Sequence, residues 1–157
     1  MPKRFAVTED KLDPSAIAAL VADPGSGAVA TFVGTVRRMN LGRSVVRLEY
    51  EAYAPLAVRV FERIAAESAE RWPGVSLAIH HRVGTLVVGD ASVAIAAASA
   101  HRADAFAVCR YAIERVKQIA PIWKREHFEG GEVWIEGATA DPEDPGAKEV
   151  ALRRACA

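Results

Sequence analysis

Lys117 and Lys124 stand on either side of Pro121, one near the end of a predicted helix and the other in the strand expected after it. Two ammonium groups held close together lower each other's pKa, and a neutral amine near pH 7 can serve as a general base or a nucleophile. A plainer account of Lys117 is a solvated lysine set against the helix C-terminus and paired with Glu114. Strand alternation puts Lys124 opposite Trp123, so if Trp123 packs, Lys124 faces a cleft or solvent. His101 and Arg102 open the same predicted helix, where free backbone N–H groups and the helix dipole attract anions. There an arginine can grip a phosphate through two parallel bonds, and a histidine adds a hydrogen bond or a proton. The competing account is two surface residues at a helix start, with Asp104 balancing the arginine. Arg37 and Arg38 end a predicted strand, and either could reach a shared pocket. The chemistry these residues suit is the capture of an anionic small molecule beside an amine.

Other chemistries lack their residues. The sequence has no Gly-x-Ser-x-Gly, no Cys-x-x-Cys, no His-Glu-x-x-His and no phosphate-cradling glycine loop, so neither a metal nor a resident cofactor is expected. His80 and His81 are adjacent on a predicted strand and point to opposite faces, which prevents both from binding one ion. Cys109 falls on an apolar helical stripe and is expected to be buried and inert, whereas Cys156 is expected to be exposed and incidental. Twenty basic and twenty acidic side chains cancel. No global field therefore draws the chain to nucleic acid or a membrane, and aromatic residues are not interleaved with a basic patch. The N-terminus lacks the apolar core of a secretory signal, and the run Ala91–Ala100 is too short to span a bilayer. With two distant cysteines and no disulfide framework, the expectation is a cytoplasmic protein.

The elements that must position these residues follow from periodicity. With 157 residues, 51% of them hydrophobic, the chain can build one core. Asp13-Pro14 caps a short helix to about Ala22. Residues 27–36 read as a buried strand, 39–42 as a turn, and 46–53 as a half-buried strand with Val46, Leu48, Tyr50 and Ala52 on one face. A helix over 55–72 carries Leu56, Val60, Ile64 and Ala65 inward until Pro73-Gly74 stops it. Strands over 75–83 and 91–100 follow, separated by the punctuation of Gly84 and Gly89. The helix over 101–119 has the stripe Phe106, Cys109, Ile113, Val116 and Ala120. Residues 122–128 and 132–135 pair as a hairpin across Gly130-Gly131. The order predicts an α+β domain with largely antiparallel strands over residues 1–140. Residues 141–157 are expected to form a polar linker and a short C-terminal tail.

Gly34-Thr-Val-Arg37, Leu48-Glu-Tyr50, His81-Arg-Val-Gly84, Gly89-Asp90, Ser99-Ala-His-Arg102 and Ala120-Pro-Ile-Trp-Lys-Arg-Glu126 occur in this order. With Arg71-Trp72-Pro73 they make residues 27–136 resemble the catalytic subunits of molybdopterin synthase. The resemblance implies an α/β-hammerhead-like fold with an additional antiparallel sheet. It implies a sulfurtransferase of molybdenum cofactor biosynthesis, converting cyclic pyranopterin monophosphate to molybdopterin. The two dithiolene sulfurs would come from a small ubiquitin-like carrier subunit with a Gly-Gly thiocarboxylate. That division of labour accounts for a site without a nucleophilic cysteine, and the ending Arg-Arg-Ala-Cys-Ala is not a carrier terminus. Family members have a homodimer core inside a heterotetramer, with part of each pocket crossing the dimer interface. Carried over by motif, Arg37, His101 and Arg102 would hold the substrate phosphate. Lys117 would act nearest the chemistry, and Lys124 would stabilise developing negative charge. Phe32 would line the pocket or simply pack. Ile113 stands where some relatives have methionine.

Two rivals use the same residues. A non-catalytic dimeric module binding a phosphorylated metabolite would employ Arg37, His101 and Arg102, but give the lysines no joint task. A hydrolase with His101 as base lacks a nucleophile, a metal and an orienting carboxylate.

Overall fold

The computed structural model describes residues 2–135 and 137–157; Glu136, where the resemblance ends, lies outside them. The first half of the chain runs β1 (Phe5–Thr8), α1 (Pro14–Ala19), β2 (Ala28–Thr35), β3 (Met39–Asn40), β4 (Arg43–Ala52) and α2 (Ala54–Arg71). The second half runs β5 (Ser76–Arg82), β6 (Gly84–Val87), β7 (Ala91–Ser99), α3 (Arg102–Ile119), β8 (Ile122–Phe128), β9 (Gly131–Ile135) and α4 (Pro145–Ala155). A four-stranded sheet has the order β1-β5-β7-β2, and a five-stranded sheet runs β3-β4-β8-β9 with β6 also paired to β4. Only the β1–β5 pairing is parallel among these ladders. The fold is α+β, as the element order predicts.

Local chemistry sets the helix ends. The Asp13 carboxylate accepts hydrogen bonds from the backbone N–H of Ser15 and Ala16 at 3.0 and 3.2 Å, with Pro14 at the first helical position. Asp144 and Pro145 repeat this device at α4. In β7 a continuous apolar run is explained by burial on both faces. Ala94, Ala96 and Ala98 pack with Ile17 and Val21 around α1, while Val93, Ile95 and Ala97 join the main core.

Several expectations change. β1 and β6 are strands that the sequence reading does not include: each has four residues, and each is made by a long-range partner, β5 and β4 respectively. The turn at 39–42 is the tip of a β3–β4 hairpin, with Leu41 and Gly42 at φ 50 and 76°. A register shift between Val45 and Arg47 turns Val45 inward and leaves Val46 exposed, after which Leu48 and Tyr50 face the core as alternation requires. Both helical stripes start one residue off: Leu56 and Phe106 are exposed, and the following Ala57 and the preceding Ala105 take the inward positions.

The residues read as a polar linker and short tail are held against the body. Arg63 and Arg115 both donate to the Pro142 carbonyl, at 2.9 and 3.3 Å, and Gln118 donates to the Ala147 carbonyl at 2.9 Å. α4 then lies on α3 with Ala151 in the main core.

Candidate active site

Lys117 leaves the last turn of α3, and Lys124 leaves the middle of β8. Both line two adjoining cavities of about 320 and 310 Å³, and Tyr50 lines both as well. Phe32, Arg37, Asn40, Ser92 and Glu126 contribute to the first cavity. His81, Gln118, Thr139 and Arg154 contribute to the second. Pro121 ends α3 and the chain turns directly into β8, which is how two lysines close in sequence reach one site.

The site raises the cost of positive charge. Lys117 keeps some surface open to the cleft, yet the walls around its amine withdraw it from water and lower its pKa, and Lys124's charge lowers it further. For Lys124 burial again acts first in lowering the pKa; Glu126 opposes the shift and Arg37 adds to it. Glu114 does not pair with Lys117. Its carboxylate is occupied by Arg110 at 2.9 Å and Arg154 at 2.7 Å. Lys124 does face the cavity, but Trp123 on the opposite strand face is exposed rather than packed.

Arg37 enters the first cavity while Arg38 stays exposed outside it, which separates two arginines that sequence alone leaves equivalent. The Arg37 guanidinium donates to Asn40 Oδ1 at 3.3 Å, and Asn40 Nδ2 donates to Glu126 Oε2 at 2.8 Å. Arg43 donates to Glu126 Oε1 at 3.3 Å and lies over the Phe128 ring, 4.7 Å from its centroid. The β3–β4 hairpin is thereby fastened to a carboxylate buried beneath Lys124. Behind the lysines, Tyr50 and His81 meet edge to face, with ring centroids 5.1 Å apart. Burial holds the Tyr50 phenol above its ordinary pKa, and it lowers His81 to about 4, with Lys117's charge adding to the latter shift.

His101 and Arg102 are not part of this cluster within one chain. They are exposed at the opposite end of α3 and line neither cavity. The helix has 18 residues, so about 27 Å of rise separates its ends. Phe32 lines the first cavity and also packs at the edge of the main core, so both of its expected roles hold. Ile113 sits outside both lysine cavities, in an apolar recess with Phe106 and Cys109. The Cys109 thiol is buried and pushed up to about 11, far from a thiolate at neutral pH. His80 and His81 bond to different backbone carbonyls, those of Lys3 and Arg82.

The sequence profile of the MoaE protein family matches residues 7–119. This chain belongs to the MoaE family. It is 49% identical over 133 residues to the molybdopterin synthase catalytic subunit of Bacillus subtilis, covering 85% of each chain. Against the catalytic subunit of Pyrococcus abyssi the identity is 43% over 119 residues, covering 76% of this chain and 80% of the relative. The crystal structure of molybdopterin synthase from Staphylococcus aureus superposes with a TM-score of 0.83 at 39% identity, covering 86% of this chain and 98% of that one. A complex of subunits 1 and 2 of the molybdopterin-converting factor from Helicobacter pylori shares the fold, with a TM-score of 0.70 at 22% identity over 92% of this chain and 98% of that one.

In this MoaE-family chain, Tyr50, His81, Asn40, Gln118 and Glu126 join the site although sequence reasoning assigned them no role. Glu126 had a usable signal: it lies two residues beyond Lys124 on the same strand, and alternation puts both on one face. Tyr50 and His81 stand inside recognised motifs but look like ordinary inward strand residues. Nothing in the sequence marks Gln118.

Proposed function

We propose that this MoaE-family protein is the catalytic subunit of a molybdopterin synthase. It converts cyclic pyranopterin monophosphate to molybdopterin, using two sulfurs delivered by the C-terminal thiocarboxylate of a small ubiquitin-like carrier. The observation that carries this reading is the pair of partly desolvated lysines shared by two adjoining cavities beside Arg37. Two cavities suit a reaction that joins two molecules, and the absence of an activated thiol on this chain suits a sulfur brought from outside.

The first cavity takes the pterin, with Arg37 holding the phosphate and Lys124 balancing charge that develops during ring opening. The carrier's glycine tail enters the second cavity, where Lys117 engages the thiocarboxylate–substrate intermediate. His101 and Arg102 complete a phosphate pocket from a partner copy. Support for that arrangement is the free edge of β2, which exposes Val29 and Val33 on one face and, on the other, meets the exposed Phe106 of α3 in a recess with Ala30 and Phe32. Two such chains with a carrier at each end give a heterotetramer, working in the cytoplasm; no described helix is long and apolar enough to cross a membrane.

The test is reconstitution. Purified protein is mixed with cyclic pyranopterin monophosphate and thiocarboxylated carrier, and the dithiolene product is oxidised to its fluorescent derivative. Product that requires this chain, and that Lys117→Ala reduces by about a hundredfold or more, is the expected result. No product beside a competent synthase would instead favour a module that only binds a phosphorylated metabolite.

A further inference from the structure

We infer that Asn40 is a positioning residue for the anion grip: its side-chain amide holds the Arg37 guanidinium at the first cavity and keeps it off the buried Glu126 carboxylate. The consequence for turnover rests on the synthase reading; the placement of Arg37 does not.

Asn40 stands at the tip of the β3–β4 hairpin, directly opposite Arg43 across a two-residue turn at Leu41 and Gly42, both at positive φ. From there both side chains reach Glu126 on β8. Asn40 Nδ2 donates to Oε2 at 2.8 Å, and Arg43 donates to Oε1 at 3.3 Å. The amide fits in one orientation. A carboxylate accepts and a guanidinium donates, so Nδ2 must face Glu126 and Oδ1 must face Arg37, whose Nη2 lies 3.3 Å away. Arg37, Asn40 and Glu126 all line the first cavity.

Charge explains why a neutral residue stands at this place. Glu126 is 1% exposed and needs a cation, and Arg43 supplies it. Asn40 then fills the other carboxylate oxygen without adding charge, which leaves that oxygen nothing to offer Arg37. Among the described residues Arg37 is in no ion pair, and its Nε and Nη1 make no hydrogen bond. A guanidinium held through one nitrogen keeps its other donors and its full charge for a phosphate, with less side-chain freedom to lose on binding. Without the amide, the buried Glu126 oxygen would need another donor, and Arg37 would turn toward it and away from the cavity.

The experiment is a double-mutant cycle on the intact protein, read as the KM for cyclic pyranopterin monophosphate in the reconstituted assay and as its Kd by calorimetry. Asn40→Ala should raise both about tenfold and lower kcat less. Asn40→Asp, which offers Arg37 a carboxylate of its own, should raise them further. In an Arg37→Ala background, Asn40→Ala should change neither by more than about twofold, because the amide acts only through that guanidinium. A merely structural role would instead add its loss to that of Arg37→Ala. The Arg37 Nη signals of ¹⁵N-arginine-labelled protein, assigned through Arg37→Lys, report the contact without ligand. Asn40→Ala should move them and speed their exchange with solvent. Should Asn40→Ala fail to fold, Asn40→Asp carries the same cycle. Additive losses, or Arg37 signals indifferent to the Asn40 variants, would overturn the inference. Moved Arg37 signals and coupled Kd losses in a protein that yields no product would uphold it and tell against the synthase reading.

Discussion

Lys117 has walls around its amine and another ammonium nearby, and it lacks the carboxylate that a spacing of three residues on the helix would have offered it, because Glu114 already serves two arginines. Such a residue works mildly against the fold that contains it, since folding takes part of the water from a charge that stays exposed on one side and gains no carboxylate in exchange. Lys117→Met keeps the stem and removes the charge. It should raise Tm by about 1–2 °C while cutting turnover at least a hundredfold, a pairing that differential scanning calorimetry and the reconstituted assay together can check. His81 gives a matching signature in pH. Its folded pKa of about 4 lies below the ordinary 6.5, so between those values the unfolded chain binds more protons. Stability from this residue is thus complete above about pH 6.5 and is lost as pH falls toward 4. The full effect is on the order of 3 kcal/mol, visible as a falling urea midpoint that His81→Phe should flatten. Lys117, Lys124 and Arg37 could be found from sequence because each sits at an element end or on an alternating strand. Tyr50 and His81 could not, because their role exists only where β4 and β5 come together behind α3.

At the scale of elements, α3 organises the molecule. It carries Lys117 at one end, faces β2 and β7, and anchors the C-terminal segment through Arg115. Arg115 is fully buried, meets both oxygens of Glu67 at 2.7 and 2.9 Å, and shares that carboxylate with Tyr111 at 2.7 Å. Without Arg115 the buried Glu67 keeps only the longer, half-exposed ion pair with Arg63 at 3.3 Å. Arg115→Ala should therefore cost on the order of 3–5 kcal/mol in denaturant unfolding. It should also loosen the chain around Pro142, which would appear as faster proteolysis in residues 137–147. The sequence reading gives α3 its length and boundaries well, since His101, Pro121 and an apolar period define them. It does not reveal that an arginine lies within that apolar surface, because a buried cation is legible only with its distant carboxylate in view. The bulge at Val45 escapes for a similar reason: it is imposed by pairing with β8, not by the local pattern.

For the whole molecule, the separation of His101 and Arg102 from the lysines has a direct consequence if two copies share each site. A chain carrying Arg102→Ala and a chain carrying Lys117→Ala should each be nearly inactive. Mixed by refolding together in equal amounts, they should recover about a quarter of wild-type turnover, since mixed dimers hold one intact pocket. Recovery within error of zero would place the basic groups in unrelated tasks. Charge on the exposed β2 edge, as in Val33→Lys, should dissociate the dimer in sedimentation and remove the recovery with it.

β7 separates two apolar clusters of unequal size, and that inequality sets an order in time. On one side, its three alanines and Ala78 meet Ile17 and Val21 with Leu12, Ala18 and Leu20 at the margin; on the other lies the larger main core with α2 and α3. The thinner cluster has less surface to lose on opening. Amide hydrogens of α1 should exchange with solvent through brief local excursions, while those of β5, β7 and α3 wait for the chain to come apart entirely. The lysines, His81 and Tyr50 are all mounted on the slow side, so the N-terminal helix can breathe without altering the shape of the cavity.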